Sequence, residues 1–117
     1  MVTIETLVNT LNTFVKKVNE NATLKKILKG WTKLIVVKTK DPDAVATLKV
    51  EKGTVVEVKL EDTPNADIVL SALADVINDI FIGKANPSRL YLDGTLKVFS
   101  SQKDQMVLDS IVDIVWK

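Results

Sequence analysis

The chain has 117 residues, the length of one ordinary domain, and its 46% hydrophobic and 26% charged content is that of a globular protein, not a disordered or fibrous one. It holds no cysteine and no histidine, which excludes disulfides, zinc-thiolate sites and every nucleophile arrangement built on an imidazole base. The net charge of +1 is unevenly divided: residues 1–60 carry 11 lysines against 6 acids, and residues 61–117 carry 5 Lys/Arg against 9 acids.

In chain order, Ile4, Leu7, Val8, Leu11, Phe14, Val15 and Val18 recur at helical spacing behind Thr3, a residue able to cap a helix N-terminus. Asn21 can cap a short second helix carrying Leu24, Ile27 and Leu28, and Gly30 stands where a helix end favours positive φ. The period then falls to two. Lys33–Lys38 reads as an apolar strand and Asp41-Pro42-Asp43 as a turn. Ala46, Leu48 and Val50 alternate with polar residues, Lys52-Gly53 turns, and Val56, Val58 and Leu60 alternate with Glu57 and Lys59. This predicts a three-stranded antiparallel meander with one dry face. Ala66–Leu70 reads as a fourth strand, Ser71–Ile82 as a helix ended by Gly83, Asn86-Pro87 as the start of one helical turn, and Thr95–Phe99 as a fifth strand; residues 103–116 form a closing helix. The expected fold class is α+β, a single domain over 1–117 with a five-stranded, mainly antiparallel sheet covered on one face by helices.

Two of these helices are wider in apolar surface than a single core stripe requires. Over 71–82, Ala72, Leu73, Val76, Ile77, Ile80 and Phe81 spread across roughly 180°; over 103–116, Val107, Leu108, Ile111, Val112, Ile114, Val115 and Trp116 spread across about 200°. A second layer of protein, a subunit interface such as a homodimer, or an apolar ligand would each cover the excess.

Groups able to carry chemistry are sparse. Asp75 and Asp79, and Asp109 and Asp113, sit one helical turn apart, where they serve as the polar edges of apolar helices, and no glycine-rich phosphate loop exists. We therefore expect no catalytic residues, no metal site and no cofactor. Lys84 and Arg89, near the break after the long helix, could hold an anionic head group or simply lie on the surface. The lysines of the basic half (Lys16, Lys17, Lys25, Lys26, Lys29, Lys33, Lys38 and Lys40) suit either transient contact with an anionic membrane surface or solvated helix faces. Without arginines or interleaved aromatics among them, nucleic acid is not an expected partner. The longest apolar run, Leu34–Val37, is far short of a membrane span, and Met1-Val2-Thr3-Ile4-Glu5 lacks a secretory pattern, so the expected location is cytoplasmic.

From Gly30 onward the sequence resembles the sterol carrier protein-2 (SCP2) family. The resemblance rests on Gly30-Trp31, Ala66-Asp67, Gly83-Lys84-Ala85-Asn86-Pro87 and Gly94-Thr95-Leu96-Lys97-Val98. It departs from the family at Thr95, where lysine is common, and at Ser100-Ser101, which replace a glycine and an acidic or amide residue. The resemblance implies that sheet and helices enclose an apolar tunnel for a fatty acyl chain, fatty acyl-CoA, sterol or phospholipid, closed in part by the last helix. The implied function is a non-enzymatic lipid carrier; the rival is an interaction module that uses the wide helices as an interface. On the carrier reading, Leu73, Val76, Ile77, Ile80 and Phe81 of the long helix, Leu90 and Leu92 after the Asn-Pro turn, and Met106, Ile111, Val115 and Trp116 of the closing helix face the ligand.

Overall fold

A computed structural model describes residues 2–116. Its elements are α1 (Ile4–Glu20), α2 (Ala22–Ile27), β1 (Lys33–Lys40), β2 (Ala44–Glu51), β3 (Thr54–Lys59), β4 (Ile68–Leu73), α3 (Ala74–Phe81), α4 (Pro87–Leu92), β5 (Lys97–Phe99) and α5 (Gln102–Val115). The caps legible in the sequence are made: the side chains of Thr3, Asn21 and Asn86 accept backbone N–H bonds from Thr6, Leu24 and Arg89. Each satisfies one of the amides that a helix start leaves unpaired.

The strands form one sheet in the order β3-β2-β1-β4-β5. All neighbours are antiparallel except β1 and β4, which run parallel with Ile35 opposite Ile68 and Lys40 opposite Leu73. Alternation along the strands sends Ile35, Val37, Ala46, Leu48, Val50, Ile68 and Leu70 into one core with Leu7, Leu11, Phe14 and Val18 of α1, Ile77, Ile80 and Phe81 of α3, and Leu108, Ile111 and Val112 of α5. The helices thus cover one face of the sheet.

The structure corrects several sequence expectations. β4 runs on to Leu73 because Ser71, Ala72 and Leu73 complete the parallel ladder against Lys38, Thr39 and Lys40; α3 therefore begins at Ala74, not at Ser71. β3 does not alternate through Val56 to Leu60. A bulge opposite the Lys49/Val50 step puts Val55 opposite Val50 and Val58 opposite Leu48, so Val56 is the extra residue, and both Val56 and Leu60 are exposed. The side-chain amide of Asn19 holds this edge: its Nδ2 donates to Val55 O at 3.0 Å, and Val55 N–H donates to its Oδ1 at 2.9 Å. The last strand starts at Lys97, since Thr95 is kept in a turn by a 2.9 Å bond from its N–H to Asp93 Oδ1.

Protein accounts for most of the excess apolar width. α3 packs against α1, β1 and β4, while α5 touches α1, α2 and α4. No helix among the described residues is long and apolar enough to cross a membrane.

Candidate functional site

The apolar layer between sheet and helices is almost filled. Two small spaces of about 20 Å³ each lie within it. One void lies against α1, β1 and β2, beside Leu7, Leu11, Val37, Ala46 and Ile77. The other lies between α1, the sheet and α5, beside Phe14, Val18, Ile35, Leu48, Phe81 and Ile111. In the second, Trp31 supplies the one side-chain heteroatom, so a trapped water would find few partners there. The rings of Phe14 and Phe81 meet edge to face with centroids 4.9 Å apart, fixing α1 on α3 above this void.

The residues expected to face a ligand divide into three groups. Ile77 lines the first void, Phe81 and Ile111 line the second, and Ile80 is buried in the same core. Val76, Leu90, Val115 and Trp116 are half-buried against that core from outside. Leu73, Leu92 and Met106 do not reach the layer at all. Leu73 closes β4 instead of joining the helix, Leu92 ends the short α4 with 83% of its surface exposed, and Met106 sits on the outer side of α5 at 63% exposure. α1 also contributes to the lining. Its Leu7, Leu11, Phe14 and Val18 border both voids, yet their spacing carries only the signature of an ordinary core stripe.

α5 is fixed along its length. Near its start, Asp104 is 6% exposed and its Oδ2 lies 3.2 Å from Lys33 Nζ on β1. In its middle, Asp109 Oδ1 accepts the Ser88 N–H of α4 at 3.2 Å. At its end, Trp116 Nε1–H donates to Phe81 O at 3.0 Å, and Lys17 Nζ stands 5.2 Å from the indole centroid. Gly83 passes so close beneath this indole that a Cβ there would fall 2.4 Å from Trp116 Cγ.

Outside the layer, an open cleft of about 450 Å³ lies between the 83–90 segment and α5. Lys84 and Arg89 line it, as do Asp109 and Asp113, so its walls carry both signs of charge. One carboxylate of each pair ties the chain together: Asp75 Oδ1 accepts the Val2 N–H at 3.1 Å, as Asp109 accepts that of Ser88. In the neighbouring turn the Asp93 carboxyl titrates below the ordinary aspartate value, because the Thr95 side chain and N–H hydrogen-bond to it and the Arg89 charge adds to the effect.

Solved structures share this fold. A crystal structure of sterol carrier protein 2 superposes with a TM-score of 0.71 at 16% identity, covering 93% of this chain and 95% of that one. The ubiquinone synthesis protein UbiJ-SCP2 gives 0.72 at 18% identity, covering 93% and 94%. Palmitated SCP2L2 from Aedes aegypti gives 0.66 at 11% identity, covering 95% of each chain. No curated protein sequence matches the chain. The sequence itself fits the profile of the SCP-2 sterol transfer family over residues 11–112, from within α1 to the last turn of α5. Profile, strand order and helix placement agree, and the chain belongs to the SCP-2 sterol transfer family.

Proposed function

We propose that this protein is a non-enzymatic lipid carrier that holds an acyl chain or similarly slender apolar lipid in the layer between the sheet and helices α1, α3 and α5. Family membership supports lipid binding or transfer in general. The observation that carries the finer reading is the pair of hydrocarbon-lined voids at the seam of α1 with the sheet, one of them reaching α5. A relative with this fold is described as palmitated, which supports an acyl ligand here. Opening the seam brings methylenes against Ile77, Phe81 and Ile111 and gains about 0.8 kcal/mol for each CH₂ removed from water, before the cost of parting the helices.

The voids also set the resting state. At roughly 24 cal/mol per Å³, a 20 Å³ space costs about 0.5 kcal/mol, so the ligand-free protein stays closed at little expense. A ligand then binds an opened form and stabilises it in proportion to its affinity. Adding palmitate to delipidated protein should raise the melting temperature, and native mass spectrometry should report a one-to-one complex. An unchanged melting temperature with no complex refutes the carrier reading; if the protein also dimerises with rising concentration, the interface reading replaces it.

A further inference from the structure

The side chains that border the two voids are not equally sheltered. Those supplied by α3 and α5, namely Ile77, Phe81, Leu108 and Ile111, are all buried. The half-buried and exposed ones lie elsewhere: Ile4, Val8 and Val15 on α1, Val55 in β3 and Leu60 just after it, and the rest on β2 or at Trp31. The apolar layer therefore comes nearest to solvent along the seam between α1 and the β2–β3 side of the sheet. α1 is held differently at its two edges. Toward α3, Thr10 Oγ1 donates to Asn78 Oδ1 at 2.6 Å, the Val2 N–H just before the helix donates to Asp75, and Phe14 meets Phe81 edge to face. Toward β3, the hydrogen bonds among the described residues are the two that join the Asn19 amide to Val55, at 3.0 and 2.9 Å. They stand at the C-terminal end of α1, beside the void that Val15, Val18 and Val55 border. Several ties at one edge and one polar contact at the other are the arrangement of a hinge and a latch.

We propose that Asn19 is that latch: an acyl chain enters between α1 and β3, and parting Asn19 from Val55 is the step that admits it. The assignment rests on the carrier reading and names the side on which the compartment opens. Swinging α1 about its α3 edge separates Val15 from Val55. It also joins the two voids into one groove along the helix, since Leu7 and Leu11 border the first and Phe14 and Val18 the second. Water takes over the Asn19 amide and the Val55 peptide groups in the open form. Each bond therefore favours the closed form by its net worth, about two- to twelvefold. A ligand that binds the open form has its apparent affinity lowered by the fraction that is closed, so the latch restrains both uptake and affinity.

Stopped-flow mixing of delipidated protein with cis-parinaric acid, a straight-chain acid that fluoresces in apolar surroundings, tests the proposal. Uptake by the native chain should level off at high acid concentration, where opening limits it. Asn19→Ala should raise that plateau at least about fivefold and tighten binding by a similar factor, with release to albumin within about twofold of the native rate. Damage to the fold would not tighten binding. Thr10→Val removes a hydrogen bond from the other edge of the same helix, and Trp116→Phe frees the end of α5 from Phe81 O; each should leave the plateau within about twofold. An unchanged plateau in Asn19→Ala, or a larger rise in either of the other variants, overturns the latch. Hydrogen exchange of the native chain tests it without a variant: the Val55 amide should exchange faster than those of Ile80 and Phe81, and the reverse order overturns the latch as well. A native chain that takes up no acid at all overturns the carrier reading and the latch with it. Uptake that Asn19→Ala does not quicken overturns the latch alone.

Discussion

Gly83 meets two demands that only glycine meets together: a φ of +82° and the indole of Trp116 where a Cβ would be. Gly83→Ala should cost about 3 kcal/mol in denaturant unfolding, combining a left-handed backbone with overpacking against the ring. A loss under about 1 kcal/mol would mean the ring shifts freely. Thr95, one of the two departures from the family pattern, has a local reason. Its side chain and N–H hold the Asp93 carboxylate across the Gly94 turn. Thr95→Val should move the Asp93 midpoint upward in an NMR titration. The lowered folded-state value means that Asp93 adds stability above the ordinary aspartate range, lost as pH falls through the folded value, below about pH 4.

At the scale of elements, burial alone does not separate core from ligand lining, but paired substitutions do. Ile111→Ala enlarges the void beneath α5 and should lower the melting point of the lipid-free protein, at about 2–5 kcal/mol for such a truncation. On the carrier reading it also makes opening easier, so palmitate should restore more stability than in the native chain. Val36 is completely buried but lies outside the helix-covered core, flanked on β1 by Ile35 and Val37, which point into it. Val36→Ala should lower the melting point and leave the palmitate-induced shift as it was. Equal shifts in the two variants would return Ile111 to an ordinary core role. The helix caps, turns and meander were legible because each depends on residues within a few positions of one another. The length of β4 and the bulge in β3 were not, since they depend on pairing with Thr39 and Val50 across the sheet. Likewise the width of α3 and α5 pointed to a cover without naming it, and α1, α2 and α4 supply most of that cover.

For the whole molecule, α1, α3 and α5 bury one core cluster against the sheet, and that core should hold without lipid. Delipidated protein should therefore melt in one cooperative transition by calorimetry; a broad, non-cooperative melt would show that the empty layer does not hold. The family was legible from short glycine and Asn-Pro motifs, which in this chain set sharp backbone turns: Gly83 and Gly94 at positive φ and Asn86 as the cap of α4. Which side chains border the voids was not, because that depends on how α1 is laid across the sheet. Leu92 and Met106 show the limit: each is apolar at a position that the motif spacing makes plausible, and each points away.

The clamp between Asn19 and Val55 bears on how these molecules behave in a crowd. β3 is an outer strand of the sheet, where unpaired peptide groups invite a strand from a neighbouring molecule. The Asn19 amide presents a donor and an acceptor in the order a peptide would, and so occupies the Val55 position on that rim. Together with the bulge at Val56, it denies a foreign strand a straight run of hydrogen bonds beside the exposed Val56 and Leu60. Asn19→Ala would vacate the rim and leave those apolar residues next to an open template. Such a variant should cloud and bind thioflavin on storage at concentrations where the native chain stays clear, and a variant that remained clear would show that the bulge alone guards the edge.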